Sequence, residues 1–468
     1  MTIPVEAHLE RLGRPYRILR ELGAGQRLYL VGGTVRDLIL GREPADFDFA
    51  VSGSGIEFAR RFSRRLRGRL VLLSEPDDEA RVVYRRRLVF DFNGLGERTI
   101  EADLGRRDFT INALAWELCS VGAGKLLDPY GGQRDLTERK IRPVSSDSLR
   151  RDPLRLLRAF RLALELGFEI DTAVLEQGRN VSLSTIAAER IGMELLRIME
   201  APGSGRYIEE LQRVGRLGEI LPQFVPVLED SQLFRHSLDT YLKIEELVTG
   251  PSFFSRFEPE WERYFSGLPY RRALLKLAGL LHDIAKPQTR FTDTENQVHF
   301  YGHDSLGARI AARMVGERLR LSRPQVKMIR ILIQEHMRLH LLATTPELSE
   351  RAIRRYFRDL GDEAFGLMIL CFADGWATAG RTRHLEETIN RMLEQKRAED
   401  ARVKVPRLVT GHDLIALGMK PGPAFRVILA ELEELQLEGK ITTKEEGIAY
   451  LKSHLGAGQG DETSGIKP

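Results

Sequence analysis

Asp46 and Asp48 stand two apart in the run Asp46-Phe47-Asp48-Phe49, and Gly32-Gly33 lies a short way ahead of them. Carboxylates at that spacing point to one side of a strand, and hard oxygen ligands suit Mg2+. Two adjacent glycines after a strand let backbone N–H groups come close to an anion, and a following helix adds the positive end of its dipole. Arg36 falls on the first turn of that helix, within reach of a triphosphate. Each piece alone is weak, because a Gly-Gly pair is most often a plain turn and Asp-x-Asp most often a solvated strand edge. Strand, Gly-Gly, helix and Asp-x-Asp in close succession point to nucleotidyl transfer, in which a 3′-hydroxyl attacks an α-phosphate and pyrophosphate leaves.

The later half carries a second set: His236, His282-Asp283, His303, His336 and Asp374. Imidazole and carboxylate together suit divalent transition metals. Adjacent His and Asp serve one metal only near a helix end, because neighbours in mid-helix diverge by about 100°. Ile284-Ala285-Lys286-Pro287 supplies such an end. A metal held there would activate water for phosphoester hydrolysis.

The elements that must position these groups follow from hydrophobic period. Residues 27–31 read as a buried strand stopping at the glycines, 34–40 as a helix ended by Gly41, and 46–51 as a strand. Residues 56–67 read as a helix, 69–73 as a strand, and 81–92 as strands around an arginine-rich turn. Residues 98–104 alternate and read as a further strand, with Glu101 and Asp103 on one side; Asp103 is the candidate third carboxylate. From about 150 to 450 the apolar spacing is helical almost throughout. Breaks fall near 142–148, 222–231 and 398–411, and the polar stretch from 456 reads as disordered.

With these elements in view, the sequence resembles a known family. GGTVRD, DFD, RRDFTINAL (106–114), DPYGG (128–132) and DPLRLLRAFR (152–161) are similar, in order and spacing, to class II tRNA nucleotidyltransferases and bacterial poly(A) polymerases. The ordered set H…HD…H…H…D resembles the HD phosphohydrolase superfamily. The resemblance implies an α+β chain: a small mixed-sheet nucleotidyltransferase head followed by an all-α neck, HD-type body and tail. The expected divisions are 1–145 for the head, 146–225 for a neck that binds nucleotide and RNA, and 226–400 for the HD-type domain. A helical tail follows at 401–455, then a disordered end at 456–468. The tail resembles the segment that holds the RNA elbow in long family members.

The resemblance also implies roles. Asp46 and Asp48 would be catalytic and hold Mg2+. Gly32, Gly33, Arg36, Arg107, Asp108, Asp152, Arg155, Arg158 and Arg161 would bind the nucleotide, with Asp152 and Arg155 reading the base edge in place of a template. A carboxylate that accepts and a guanidinium that donates complement C and A edges. Asp152 before Pro153 also reads as a plain helix cap. Where many members have Glu before this Asp, the chain has Arg151. His236, His282, Asp283 and Asp374 would hold a second divalent metal, with His303 and His336 as further ligands or phosphate contacts. The alternative is a body that keeps the HD fold only to bind RNA.

Composition sets bounds on these readings. The chain has 468 residues and a net charge of +4, room for about two to four domains. No apolar run reaches the ~18 residues of a membrane span, and the N-terminus lacks the apolar core of a signal peptide. The two cysteines lack metal spacing and fit a reducing cytoplasm. No lysine precedes Lys125, whereas arginines crowd 60–69 and 85–87. Guanidinium groups grip phosphate bidentately, which suits a nucleic-acid partner, although solvated arginines read equally well.

The leading expectation is a cytoplasmic, template-independent enzyme that adds CMP and AMP from CTP and ATP to tRNA 3′ ends. A-adding, C-adding and poly(A)-polymerase activities are the near alternatives. A metal-dependent phosphohydrolase with a nucleotide-binding head, and a non-catalytic RNA-binding protein, are the distant ones.

Overall fold

The computed structural model describes residues 5–44, 46–85, 87–119, 124–250, 252–345, 347–380, 382–401, 407–437 and 439–456. It divides into two compact units, Met1–Leu341 with Phe365–Leu385, and Leu342–Ala364 with Glu386–Pro468. The expected α+β class is observed: a small sheet first, then helices.

The first unit opens on helices Val5–Arg11 and Arg14–Gly23, then builds a seven-stranded sheet. Its strands are β1 Leu28–Val31, β2 Phe47–Val51, β3 Arg69–Ser74, β4 Glu79–Tyr84, β5 Leu88–Gly94, β6 Ala115–Leu118 and β7 Lys125–Leu127. They lie in the order β3-β4-β5-β2-β1-β6-β7. Within this sheet only β2 and β5 pair in parallel, with Asp48 opposite Asp91. Side chains alternate across a sheet, and β2 shows the consequence. Phe47 and Phe49 stack on Phe90 and Phe92 at 5.5 and 5.2 Å, and Phe58 and Phe62 of helix Gly55–Leu66 close over them. That face is dry. Asp48 and Asp91 therefore emerge on the opposite face. Helix Gly55–Leu66 starts at Ser54, whose hydroxyl accepts from Glu57 N–H, and stops at Arg67 in the left-handed region.

One expectation is overturned here. Residues 98–104 are not a strand: Ile100–Leu104 is a helix capped by the Thr99 hydroxyl, which accepts from Ala102 N–H. A local cap has outweighed the alternating pattern. Residues two apart on a helix diverge by about 200°, so Glu101 and Asp103 do not share a side.

After residue 145 the first unit is mainly helical, with short strands at Glu169–Ile170, Phe291–Thr292 and Val298–His299. The Arg155–Leu166 helix buries Leu156, Leu157, Ala159, Phe160, Leu162, Ala163 and Leu166. Arg155, Arg158 and Arg161 are left on its polar side. Helix Ala188–Glu200 packs on Arg155–Leu166 and also on Arg271–Leu281, so it lies between the arginine-bearing helix and the one that ends at His282.

A buried polar knot fastens this region. Lys276 Nζ, fully buried, donates to Glu245 Oε1 at 2.9 Å, and to Ser204 Oγ and Ala201 O at 3.0 Å. Breaking such a pair from one side strands a buried charge and costs about 3–5 kcal/mol. Lys276→Met is expected to lower unfolding stability by that order in urea titration. Adding Glu245→Gln, which keeps an acceptor for Ser204 N–H but removes the charge, is expected to recover part of the loss.

The second unit gathers Val409, Leu414, Leu432, Ile441 and Leu451 into its own core. Its helices Gly411–Ala416, Pro423–Leu437 and Lys444–Gly456 match the expected helix, Pro-Gly-Pro turn and two further helices. Part of the 398–411 break, Arg86 of the 85–87 turn, and residues 457–468 of the 456–468 stretch expected to be disordered lie outside the described residues, while Gly456 ends the last helix.

Candidate nucleotidyl-transfer and metal sites

The Gly-Gly turn is built around Gly32. Its φ is +72°, and a Cβ there would sit 2.4 Å from a guanidinium nitrogen of Arg107, so only glycine fits. The helix Gly33–Ile39 follows at once. Thr34 ties this turn to the carboxylate strand: its hydroxyl donates to Asp46 O at 3.1 Å and accepts from Asp48 N–H at 3.2 Å. Asp46 is exposed, whereas Asp48 is partly covered. Burial pushes the Asp48 carboxyl up to about 6, against the pull of Arg107, and Asp91 and Asp46 push it further. A crowded group of carboxylates that resists ionisation is the electrostatic setting a cation relieves.

A cavity of about 430 Å³ opens beside Asp48. It is lined by Gly33, Arg36, Arg107, Asp108, Asp152, Arg155, Arg158 and Arg161, together with Asn112 and Leu162. Of the residues expected to bind nucleotide or Mg2+ in the head and neck, all but Gly32 and Asp46 line this cavity. The lining sets five arginines against Asp48, Asp108 and Asp152, a net cationic surface that suits a triphosphate.

Each of these side chains is fastened by its own partners. Arg158 grips Asp108 with two hydrogen bonds of 2.9 and 2.7 Å to Oδ2. Burial alone would raise the Asp108 pKa, but Arg158, Asn112 and the Phe109 N–H outweigh it and hold the carboxyl below its ordinary value. Arg36 Nη1 donates to Asn112 Oδ1 at 2.7 Å, which continues the chain to Asp108. Arg107 pairs with Asp103 at 3.3 Å rather than with Asp108, and its buried Nε has no partner. Arg161 is held by Glu194 and Glu165. Arg155 donates to Arg106 O, Arg107 O and Ser148. Asp152 meets Arg155 only through the backbone, its O accepting from Arg155 N–H at 3.0 Å; its Oδ1 accepts from Leu154 N–H and its Oδ2 pairs with Arg190 at 3.0 Å. It therefore orders the turn before the helix, though the helix begins at Arg155 rather than at Pro153. Arg151 pairs with Asp147 at 2.9 Å.

The acidic residue beside Asp48 is Asp91, not Asp103. It lies opposite Asp48 in the parallel register and is clamped by two bonds of 2.8 Å from Arg81. The strand pattern of 88–94 placed an aspartate between two phenylalanines, as in β2, and that echo was the available signal. Thr34 had none beyond its place next to the glycines.

The second cluster forms as expected, from five segments. His236 comes from helix Ser231–Thr249 and Asp374 from Glu363–Ala379; His282 and Asp283 follow Arg271–Leu281. His303 opens its helix, and His336 follows Arg323–Gln334. Asp283 is shared. On one side, His236, His282 and Asp283 offer ligand atoms within 4.8 Å of one another; on the other, Asp283, His303 and His336 do. Asp374 Oδ1 lies 3.2 Å from His236 Nε2 and 3.5 Å from His282 Nε2, on the first side. Neither oxygen of Asp283 receives a well-aligned hydrogen bond, although Lys286 Nζ lies 2.6 Å from Oδ2. His282, His303 and His336 each turn Nδ1 to the carbonyl three residues earlier, at 2.7–2.8 Å. That leaves Nε2 aimed inward, the orientation metal-ligating histidines take. Burial opposes charge on His282, but Asp283 and Asp374 outweigh it and raise the imidazole to about 10. Burial and the nearby His282 lower His336 to about 4. His340, one turn beyond His336, bonds Asp374 Oδ2 at 3.0 Å; its spacing from His336 was the signal for it. A cavity of about 690 Å³, lined in part by His236, Lys286, Arg290 and Phe300, opens against this cluster.

Comparison with known proteins agrees with this arrangement. Residues 28–142 match the poly A polymerase head domain, and residues 233–379 the HD domain. A CC-adding tRNA nucleotidyltransferase of Thermus thermophilus is 34% identical over 90% of this chain and 92% of its own. This chain belongs to the tRNA nucleotidyltransferase family. An A-adding tRNA nucleotidyltransferase of Deinococcus radiodurans is 31% identical over 90% of this chain and 94% of its own. The Thermotoga maritima CCA-adding enzyme, solved with tRNA, shares the fold at a TM-score of 0.65 and 23% identity, covering 96% of this chain and 98% of that one. The two domains of this family member that carry these sites generally use divalent metals. No described helix is long and apolar enough to cross a membrane.

Proposed function

We propose that this family member adds CMP and AMP, from CTP and ATP, to the 3′ ends of tRNA in the cytoplasm. The observation that carries the reading is the single cationic cavity in which the Gly-Gly turn, Asp48 and the three arginines of the Arg155–Leu166 helix converge. In this reading the turn and Arg36 seat the triphosphate, while Arg107, with its unpartnered Nε, donates to it or to the ribose. Asp46 and Asp48 are the residues that would hold Mg2+, and Asp91 adds negative charge beside them. Held by these carboxylates, Mg2+ would supply positive charge where the 3′-oxygen attacks and pyrophosphate leaves. The new bond joins the 3′-oxygen to the α-phosphorus, and the bond to pyrophosphate breaks.

Asp152 and Arg155 are assigned to the base edge. Arg155 holds the backbone of 106–107, and Arg190 holds Asp152, so both base-reading groups are braced before nucleotide arrives. Arg190→Ala is expected to loosen base choice. Competition of UTP against CTP should shift by about tenfold or more, with little change in Arg158-dependent nucleotide affinity.

A second reading, CC addition alone, is favoured by the identity to the CC-adding relative. One assay separates the two. tRNAs ending before C74, after C74 and after C75 are each offered labelled CTP or ATP. CMP on the first two and AMP on the third supports full CCA addition; no AMP on the third restricts the enzyme to CC addition.

We further infer a phosphohydrolase at the HD cluster. His236, His282, Asp283 and Asp374 would hold one divalent metal, and Asp283, His303 and His336 a second. A metal held by these residues would supply an activated water for phosphoester cleavage. Lys286 and Arg290 line the adjoining cavity and receive the phosphate.

A further inference from the structure

Helices Arg14–Gly23 and Gly55–Leu66 lie side by side on the back of the sheet. Arg14 Nη2 donates to Arg65 O at 2.9 Å, and Arg65 Nη1 pairs with Glu21 at 2.7 Å, so the two helices present one continuous surface. That surface is charged to an unusual degree. Residues 10–23 and 55–69 hold ten arginines against three glutamates, an excess larger than the whole chain's net +4. Much of the charge is uncommitted. Arg17, Arg64 and Arg67 are exposed and make no side-chain ion pair or hydrogen bond among the described residues, and Arg61 only rests on the Phe58 ring at 5.6 Å.

This face is remote from the nucleotidyl-transfer cavity. Phe58 and Phe62 of helix Gly55–Leu66 cover the Phe47, Phe49, Phe90 and Phe92 side of the sheet, and Asp48 emerges on the other. The arginines therefore cannot seat the reacting triphosphate or the 3′ end. Half of the surface also comes from a helix ahead of residue 28, where the family head domain begins.

We propose that the Arg14–Gly23 and Gly55–Leu66 face is a second RNA-binding surface, which takes duplex phosphate backbone away from the end being extended. The chemistry favours phosphodiesters over other partners. Guanidinium meets phosphate with two parallel bonds, and every cation on this face is arginine. No large apolar side chain is exposed on either helix, so the face lacks both the aromatic anchors of a protein interface and the wedge of a membrane-surface helix.

The test uses the full chain and a labelled duplex RNA whose 3′ ends are blocked, so that no turnover is needed and failure of the proposed reaction does not affect the readout. Affinity is measured against salt for the wild type, for R17Q/R61Q/R64Q and for R17K/R61K/R64K. Counterion release predicts that the glutamine variant loses about two to three units of the log–log salt slope and binds about tenfold or more weakly at low salt. The lysine variant should keep most of the slope. Nucleotide addition at saturating tRNA should be unchanged in both, because neither touches the cavity. Equal slopes and affinities for wild type and glutamine variant overturn the proposal. So does an equal loss in the lysine variant, or a loss of binding to phosphatidylserine vesicles with RNA binding intact.

Discussion

Asp48→Asn is expected to cut nucleotide incorporation by about 10³-fold or more while tRNA affinity stays within a small factor. The carboxylate is one of two that would hold the cation, and losing that charge forfeits several kcal/mol of transition-state stabilisation. Each ~1.4 kcal/mol is a tenfold change in rate. The substitution keeps shape and leaves the Thr34 hydroxyl bonded to the residue 48 N–H, so the strand stays in place. Stability moves the other way from activity. Burial raises the Asp48 carboxyl from 3.8 to about 6, so between those values the folded chain holds a proton that the unfolded chain releases. Ionised Asp48 therefore costs the metal-free fold stability above that window. The Asn variant should melt no lower than wild type at pH 7 without added metal. Incorporation near the wild-type rate would refute the mechanism, and a large drop in melting temperature would mean the lost rate reports misfolding. Asp46→Ala should lose incorporation too, with less effect on melting because Asp46 is exposed.

The second large effect belongs to Asp283. Asp283→Asn is expected to abolish metal-dependent phosphate release and to remove most bound transition metal, while incorporation of CMP continues at close to the wild-type rate. Asp283 belongs to both ligand groups, so one substitution weakens both, whereas His303→Gln should weaken only one. An amide in place of the carboxylate also withdraws the charge that, with Asp374, holds the His282 imidazole up near 10. Metal content by elemental analysis and release of phosphate from a model phosphoester read the two consequences separately. Loss of incorporation along with phosphate release would show instead that the cluster is a structural support for the whole first unit.

The strands, the Gly-Gly turn and the helical body were readable because their side chains are patterned by burial. Phe47-Asp48-Phe49 alternates in the sequence because one sheet face is dry and the other polar. Histidines and acids spread from 236 to 374 could be grouped because few other residues bind metal. What the sequence did not disclose were contacts made across the fold. Asp91 joins Asp48 only through a parallel pairing of strands separated by a helix and a hairpin. Arg190 reaches Asp152 only because helix Ala188–Glu200 packs against Arg155–Leu166. The 98–104 segment misled for a local reason: alternation favoured a strand, while one threonine hydroxyl was enough to cap a short helix.

The Thr34 hydroxyl bridges the glycine turn and both ends of the carboxylate pair, accepting from Asp48 N–H and donating to Asp46 O. Any shift of the turn on triphosphate binding would be passed through these bonds to the strand that would carry the cation, and the reverse would hold as well. Such a connection makes the two occupancies thermodynamically conjugate: whatever factor the nucleotide adds to cation affinity, the cation adds to nucleotide affinity. Thr34→Val would remove the backbone share of that coupling and leave the direct attraction between cation and triphosphate, so the mutual enhancement should shrink rather than vanish.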